Sequence, residues 1–131
     1  MKQYTAIIVM ALAVSSILFG QTVVNGKSLS VKEISNLNNC IASENTGVKE
    51  WGIYLAGKHK VEESVETLTE AYKSTSSVSL KKRVLFSLYQ INTEKSRTAI
   101  SDITIHEESV PLKRLCMAMN SIPGDNYTAG L

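Results

Sequence analysis

Two cysteines and two histidines are the side chains best suited to redox or metal chemistry in this chain of 131 residues. A disulfide between Cys40 and Cys116 would need Cα atoms within about 7 Å. The sequence places these thiols on the first and last helices of a stack whose layers lie about 8–10 Å apart, so we expect free, buried thiols. His59 and His106 have no further ligands at the short spacing of a zinc site, so we expect surface histidines and no metal.

Other catalytic and cofactor motifs are missing from the sequence. No serine lies in a Gly-x-Ser-x-Gly turn, and neither a phosphate-binding loop nor a dinucleotide fingerprint occurs. The charge is nearly balanced, with 14 Lys+Arg against 12 Asp+Glu, so the basic stripe of a nucleic-acid-binding protein is missing. We therefore expect a non-enzymatic binding protein without a cofactor and without a nucleic-acid partner.

The N-terminus has the pattern of a secretory signal peptide. Lys2 precedes an uncharged, mostly apolar run at 6–19, which as a helix would reach about 21 Å. The run is shorter than the stretch of about 20 apolar residues that a membrane-spanning helix needs. The pattern therefore predicts a signal peptide over 1–20 and export to the periplasm or the medium. Cleavage could follow Gly20 or Gly26. After cleavage we expect no membrane contact; the alternative is a helix retained as an anchor.

The rest of the chain is predicted to form about six helices. Ser30 and Glu33 have the spacing of a capping box and open the first helix. A second helix begins near Thr46, and Gly57 is the predicted stop at its C-terminus. The later helices follow polar or turn residues, at 74–77, at Thr93 and at Ser109.

Apolar side chains recur at helical spacing in each of these segments and predict the core. Trp51 is in phase with Val48 and Leu55, which predicts a buried tryptophan, whereas Tyr54 lies off that phase. The predicted core positions are Val31, Ile34, Leu37, Cys40, Ile41, Val48, Trp51, Gly52, Leu55, Ala56, Val61, Val65, Leu68, Ala71, Tyr72, Leu80, Val84, Leu88, Ile91, Ala99, Ile100, Ile103, Leu112, Leu115, Cys116 and Met119.

A short motif repeats along the chain. The motif Ser77-Val78-Ser79-Leu80-Lys81 recurs 32 residues later as Ser109-Val110-Pro111-Leu112-Lys113. Val48-Lys49 lies 32 residues before Leu80-Lys81 and matches it. A fixed period of helix pairs is typical of a solenoid. The pattern resembles the HEAT repeats in their short bacterial form, over about 46–120. The matching residues are Val48-Lys49, Gly52, Ala56-Gly57, Leu80-Lys81, Val84, Leu88, Leu112-Lys113 and Cys116; Tyr89 and Asn120 depart from the form.

The HEAT resemblance implies an all-α fold, a short right-handed superhelix of helical hairpins, and a role as a scaffold for protein partners. A minority of such relatives are bilin lyase subunits, so an accessory lyase subunit is one alternative and a membrane-tethered helical adaptor is another. The expected divisions are a signal peptide at 1–20, a linker at 21–29, the repeat domain at 30–120 and a flexible tail at 121–131.

Curved helical stacks usually bind partners on the concave side, which the second helices of the pairs line. The candidate partner-binding residues are Glu63, Glu66, Glu70, Lys73, Lys95 and Arg97. The opposite ridge is predicted to carry a basic row of Lys49, Lys81, Lys82, Lys113 and Arg114. The sixth helix has no successor, so its uncovered side near Met117 and Met119 is a candidate surface for self-association; the alternative is that these methionines complete the core.

Overall fold

The computed structural model describes residues 23–24 and 27–122 of the chain. The predicted signal peptide, both cleavage sites and the tail beyond residue 122 lie outside these residues. Two short antiparallel strands, β1 (Val23–Val24) and β2 (Lys27–Ser28), precede the helices. Six α-helices follow: α1 (Val31–Ala42), α2 (Thr46–Lys58), α3 (Val65–Ser74), α4 (Val78–Ile91), α5 (Glu94–His106) and α6 (Val110–Ser121), with a 3₁₀ turn (Glu62–Ser64) before α3. Apart from the paired dipeptides, the described part is all-helical, as predicted.

Four of the six helices begin where a polar side chain accepts a hydrogen bond from an amide of the first turn. The Ser30 hydroxyl accepts from the Glu33 amide at 3.3 Å, and the Ser30 amide donates to the Glu33 carboxylate at 2.8 Å, which confirms the predicted capping box. Asn45 caps α2 and Thr93 caps α5 through their side-chain oxygens. The predicted helix starts after Ser30, near Thr46 and near Thr93 are therefore confirmed.

The six helices form two rows. Helix α2 packs against α1 and α4, and α4 also contacts α6. Helix α3 contacts both α1 and α5. We call α2, α4 and α6 the even row, and α1, α3 and α5 the odd row. The core lies between the rows, where Ile53, Leu68, Leu85, Leu88 and Ile100 are almost fully buried.

The 32-residue period of the sequence is present in the backbone. The even-row helices begin at Thr46, Val78 and Val110, 32 residues apart. Lys60 and Asn92, which follow α2 and α4 at the same interval, both have a φ of 53°. The corresponding core positions are also buried in each unit: Gly52, Val84 and Cys116, then Ser64 and Ser96, then Leu68 and Ile100.

Gly57 is not the stop of α2, which corrects the sequence-based expectation. The helix continues to Lys58, and the left-handed residue that leaves it is Lys60. Gly57 is needed instead for the close approach of α2 to α4, since a Cβ there would lie 2.9 Å from the Ser87 Cα. The Ser87 hydroxyl donates to the Ile53 carbonyl at 2.8 Å in the same contact.

Three predicted core positions are exposed. Trp51 is 61 % exposed, Val48 is 41 % exposed and Val31 is 83 % exposed. The buried face of α2 instead carries Gly52, Ile53, Ala56 and Gly57. Because α2 packs closely on its neighbours, small residues occupy the contact and the larger apolar side chains on the other side of α2 point outward.

Both cysteines are free thiols, as predicted. Cys116 is buried and Cys40 is half-buried. Burial raises the pKa of the Cys116 thiol, which keeps it protonated. In the described range, no helix combines the length and the apolar character needed to cross a lipid bilayer.

Candidate functional site

An open groove of about 980 Å³ lies between α3 and α5 of the odd row. Its floor is partly apolar, from Val65, Ala99 and Ile103. Its rim is polar, because α3 and α5 point their charged faces toward it. A cleft of this volume lies in the range of ligand-binding pockets and has room for a few side chains of a partner.

An ion pair crosses the rim of the groove. The Lys95 ammonium lies 3.1 Å from the Glu66 carboxylate and so connects α5 to α3. Lys73 lies 3.4 Å from Glu70 within α3. These side chains are largely exposed, and such pairs contribute little to stability. They are therefore available to exchange partners when a ligand enters.

Two further carboxylates line the groove near the C-terminal end of α5. Asp102 and Glu108 both line it and are exposed, and neither has an ion-pair partner among residues 29–122. His106 also lines the groove, and its Nδ1 lies 2.9 Å from the Asp102 carbonyl oxygen. Carboxylates that are exposed and in no ion pair favour a cationic ligand.

A buried polar network forms the base of the groove. The Tyr72 hydroxyl of α3 donates to a carboxylate oxygen of Glu107, which follows α5 directly. Lys81 of α4 donates to the same oxygen at 3.5 Å, and its Nζ lies 4.9 Å from the centre of the Tyr72 ring. The second Glu107 oxygen accepts the Ser109 amide at 2.8 Å. One carboxylate thus joins α3, α4 and the start of α6.

The environment of this network shifts its pKa values. Burial, then the bond to Glu107, raises the pKa of Tyr72 far above its usual range. Burial alone would raise the pKa of Glu107, but the Tyr72 hydroxyl, the Ser109 amide and the Lys81 ammonium outweigh burial and lower it. Tyr72 therefore stays neutral and Glu107 stays ionised around neutral pH, so that the base of the groove holds a fixed carboxylate.

Four of the six candidate partner-binding residues line the groove: Glu66, Glu70, Lys73 and Lys95. Glu63 and Arg97 are exposed but do not line it. Lys81 was predicted on the opposite basic ridge, and that prediction is wrong: its side chain is only 22 % exposed and points to Glu107.

Among the acidic residues of the groove, sequence reasoning missed Asp102, Glu107 and Glu108. Glu107 and Glu108 follow the end of α5, where no helical periodicity indicates a role. Tyr72 was predicted as a core residue. Its ring is buried, as predicted, but the hydrogen bond from its hydroxyl to Glu107 was not predicted. A tyrosine in an apolar stripe could have signalled a polar partner, because a buried hydroxyl is almost always hydrogen-bonded.

The histidines lie at separate places. His106 is exposed, as predicted, and His59 is half-buried at the end of α2. Among the side chains of the described range, no three from His, Cys, Asp and Glu are arranged to hold a metal ion. Comparison of the chain with protein-family models, with curated proteins and with solved structures finds no match.

Proposed function

We propose that this chain is an exported, non-enzymatic protein–protein interaction module, built as a short right-handed HEAT-like superhelix, whose groove between α3 and α5 binds a cationic segment of a partner protein. The signal-like N-terminus supports export. The 32-residue interval between the even-row helices supports a repeat of helical hairpins.

The observation that carries the proposal is the charged groove of about 980 Å³ in the odd row. It contains residues that the repeat pattern favoured for binding, and two of its carboxylates, Asp102 and Glu108, have no ion-pair partner among residues 29–122. A lysine or arginine of a bound segment would lie between Asp102 and Glu108. Glu66 and Lys95, which already pair across the groove, would then exchange contacts with the ligand.

Site-specific photo-crosslinking tests this proposal in the exporting cell. A photoreactive residue replaces Thr98, which lines the groove and is exposed. A second protein carries the same group in place of Ser79, exposed on α4 of the even row. We expect a discrete protein adduct from position 98, and a different pattern or none from position 79.

The charge requirement is tested by a matched pair of substitutions in the position-98 protein. Asp102→Lys should reduce the adduct at least about fivefold, because it places a cation where the ligand's cation binds. Glu94→Lys makes the same charge change at an exposed site of α5 that does not line the groove and should leave the adduct unchanged. No adduct at position 98, or equal losses in both variants, would contradict the proposal.

A further inference from the structure

The outer face of the even row exposes large aromatic side chains. Trp51 is 61 % exposed, Tyr54 is 46 % exposed and Phe86 is 52 % exposed. The rings of Trp51 and Tyr54 stack with centroids 5.3 Å apart. Tyr54 and Phe86 occupy the same position of α2 and α4, 32 residues apart. The outer aromatic face is defined here by Trp51, Tyr54, Lys58, Lys82, Arg83 and Phe86.

Side chains of α2 and α4 contact one another within this face. Trp51, Tyr54 and Lys58 follow one another at three- and four-residue intervals, so they lie on one side of α2. The Lys58 ammonium lies 5.6 Å from the centre of the Tyr54 ring. Arg83 of α4 lies 3.6 Å from Glu50 of α2, so the side chains of the two helices meet at this surface.

The charge of the face is positive. Glu50 is the single acidic residue in the even-row helices, and its carboxylate is paired with Arg83. Lys58 and Lys82 have no acidic partner among the described residues. Exposed aromatic rings and unpaired cations therefore share one surface, on the opposite row from the groove. Large apolar side chains exposed on one side of a protein often mark an interaction site.

We propose that the outer aromatic face binds the surface of a lipid bilayer that contains anionic headgroups. Tryptophan and tyrosine rings favour the membrane–water interface, where an apolar ring meets polar headgroups. Lysine and arginine beside them are attracted to anionic lipid. Single-stranded nucleic acid fits less well, because Trp51 and Tyr54 stack on each other and so leave fewer ring faces for bases.

Peripheral membrane binding differs from the sequence-based expectation of no membrane contact after signal cleavage. The sequence analysis also placed Trp51 in the core, where it could touch no lipid, whereas the structure exposes it. In the proposed contact, side chains of folded helices enter the headgroup layer, and no described helix crosses the bilayer. The contact is independent of the partner-binding groove, which lies on the odd row.

The chain's only tryptophan lies on this face, so its fluorescence reports on the contact directly. The full-length protein is titrated with vesicles of phosphatidylcholine containing phosphatidylglycerol, and with vesicles of phosphatidylcholine alone. We expect a blue shift of the Trp51 emission, and quenching by lipids brominated in their acyl chains, with the anionic vesicles only. Co-sedimentation with vesicles while the Trp51 emission stays unchanged would overturn the proposal, because another segment such as 6–19 would then bind the lipid.

Matched variants locate the contact. Lys82→Glu should weaken vesicle binding at least about fivefold, whereas Lys32→Glu, at an exposed position of α1 in the odd row, should not. Phe86→Ser should weaken it about tenfold, whereas Ile105→Ser, on a side chain that is 70 % exposed on α5, should not. Circular dichroism checks that each variant is folded. Equal losses in both members of a pair, or a blue shift that grows with protein concentration without vesicles, would overturn the proposal; the latter would indicate a second copy of the chain on this face.

Discussion

The two rows of helices pack in different ways, although the same 32-residue period governs both. In the even row, α2 and α4 approach closely at Gly57 and Ser87. In the odd row, α3 and α5 are separated by a groove, and the contact that spans its rim is the exposed pair of Glu66 and Lys95. The small residue Gly57 allows the close approach of α2 and α4, whereas α3 and α5 carry long charged side chains at the rim of the groove. The contact between α2 and α4 thus stabilises the fold, and the groove between α3 and α5 leaves room for a ligand.

We expect the largest change in the free energy of unfolding from Gly57→Ala, at the contact between α2 and α4. The new Cβ would lie 2.9 Å from the Ser87 Cα and 2.5 Å from the Gln90 amide oxygen. The Gln90 side chain can move away, but the backbone of α4 cannot move without repacking the even row. We expect a loss of about 2 kcal/mol in the free energy of unfolding, measured by urea denaturation.

Gly47→Ala is the matched control for this substitution. Gly47 is exposed in the first turn of α2, and a Cβ there meets only the Asn45 side-chain oxygen at 3.5 Å. Alanine favours the helix over glycine, so we expect a gain of up to about 1 kcal/mol. A Gly57→Ala protein as stable as the natural one would show that the even row does not depend on this close approach.

The second largest effect is expected at the base of the groove, from Glu107→Gln. The substitution keeps the size of the side chain and removes the charge that Tyr72, Lys81 and the Ser109 amide surround. We expect a loss of about 2 kcal/mol at neutral pH, measured by urea denaturation. Glu108→Gln, on the exposed neighbour, should change stability by less than about 0.5 kcal/mol.

The pH dependence of unfolding distinguishes a charged Glu107 from a merely buried one. Its folded pKa lies below the ordinary value of 4.5, so the folded protein holds the ionised form more strongly than the unfolded chain does. This contribution is complete above about pH 4.5 and is lost as the pH falls through the folded pKa. Stability should therefore decline less steeply below pH 4.5 in Glu107→Gln than in the natural protein; parallel curves would contradict the assignment.

The smallest effect is expected from Glu66→Gln at the rim of the groove. Glu66 is 82 % exposed and its partner Lys95 is 44 % exposed, so solvent screens the pair. We expect the free energy of unfolding to change by less than about 0.5 kcal/mol. A double-mutant cycle with Lys95→Met measures the coupling directly; a coupling above about 1 kcal/mol would mean that this pair holds α3 and α5 together.

The sequence by itself determined the elements of this protein. The capping spacing of Ser30 and Glu33, the cap at Thr93 and the period from Thr46 onward predicted where helices begin, because helix ends depend on local hydrogen bonds. The apolar stripes of α3 and α4 were also predicted correctly. Four of the six candidate partner residues line one groove, since the spacing within α3 and α5 determines which side chains share a face.

The tertiary structure decided which face of α2 is buried and how the rows separate. Trp51 fits the apolar stripe, yet Gly52, Ile53, Ala56 and Gly57 form the buried face, because close packing between helices selects small side chains even where a stripe of larger apolar residues is present. Glu107 lies in a turn without periodicity, and it became the centre of the network only when α3, α4 and α6 met around it. Contacts between residues distant in the sequence determine such positions, and no local pattern encodes them.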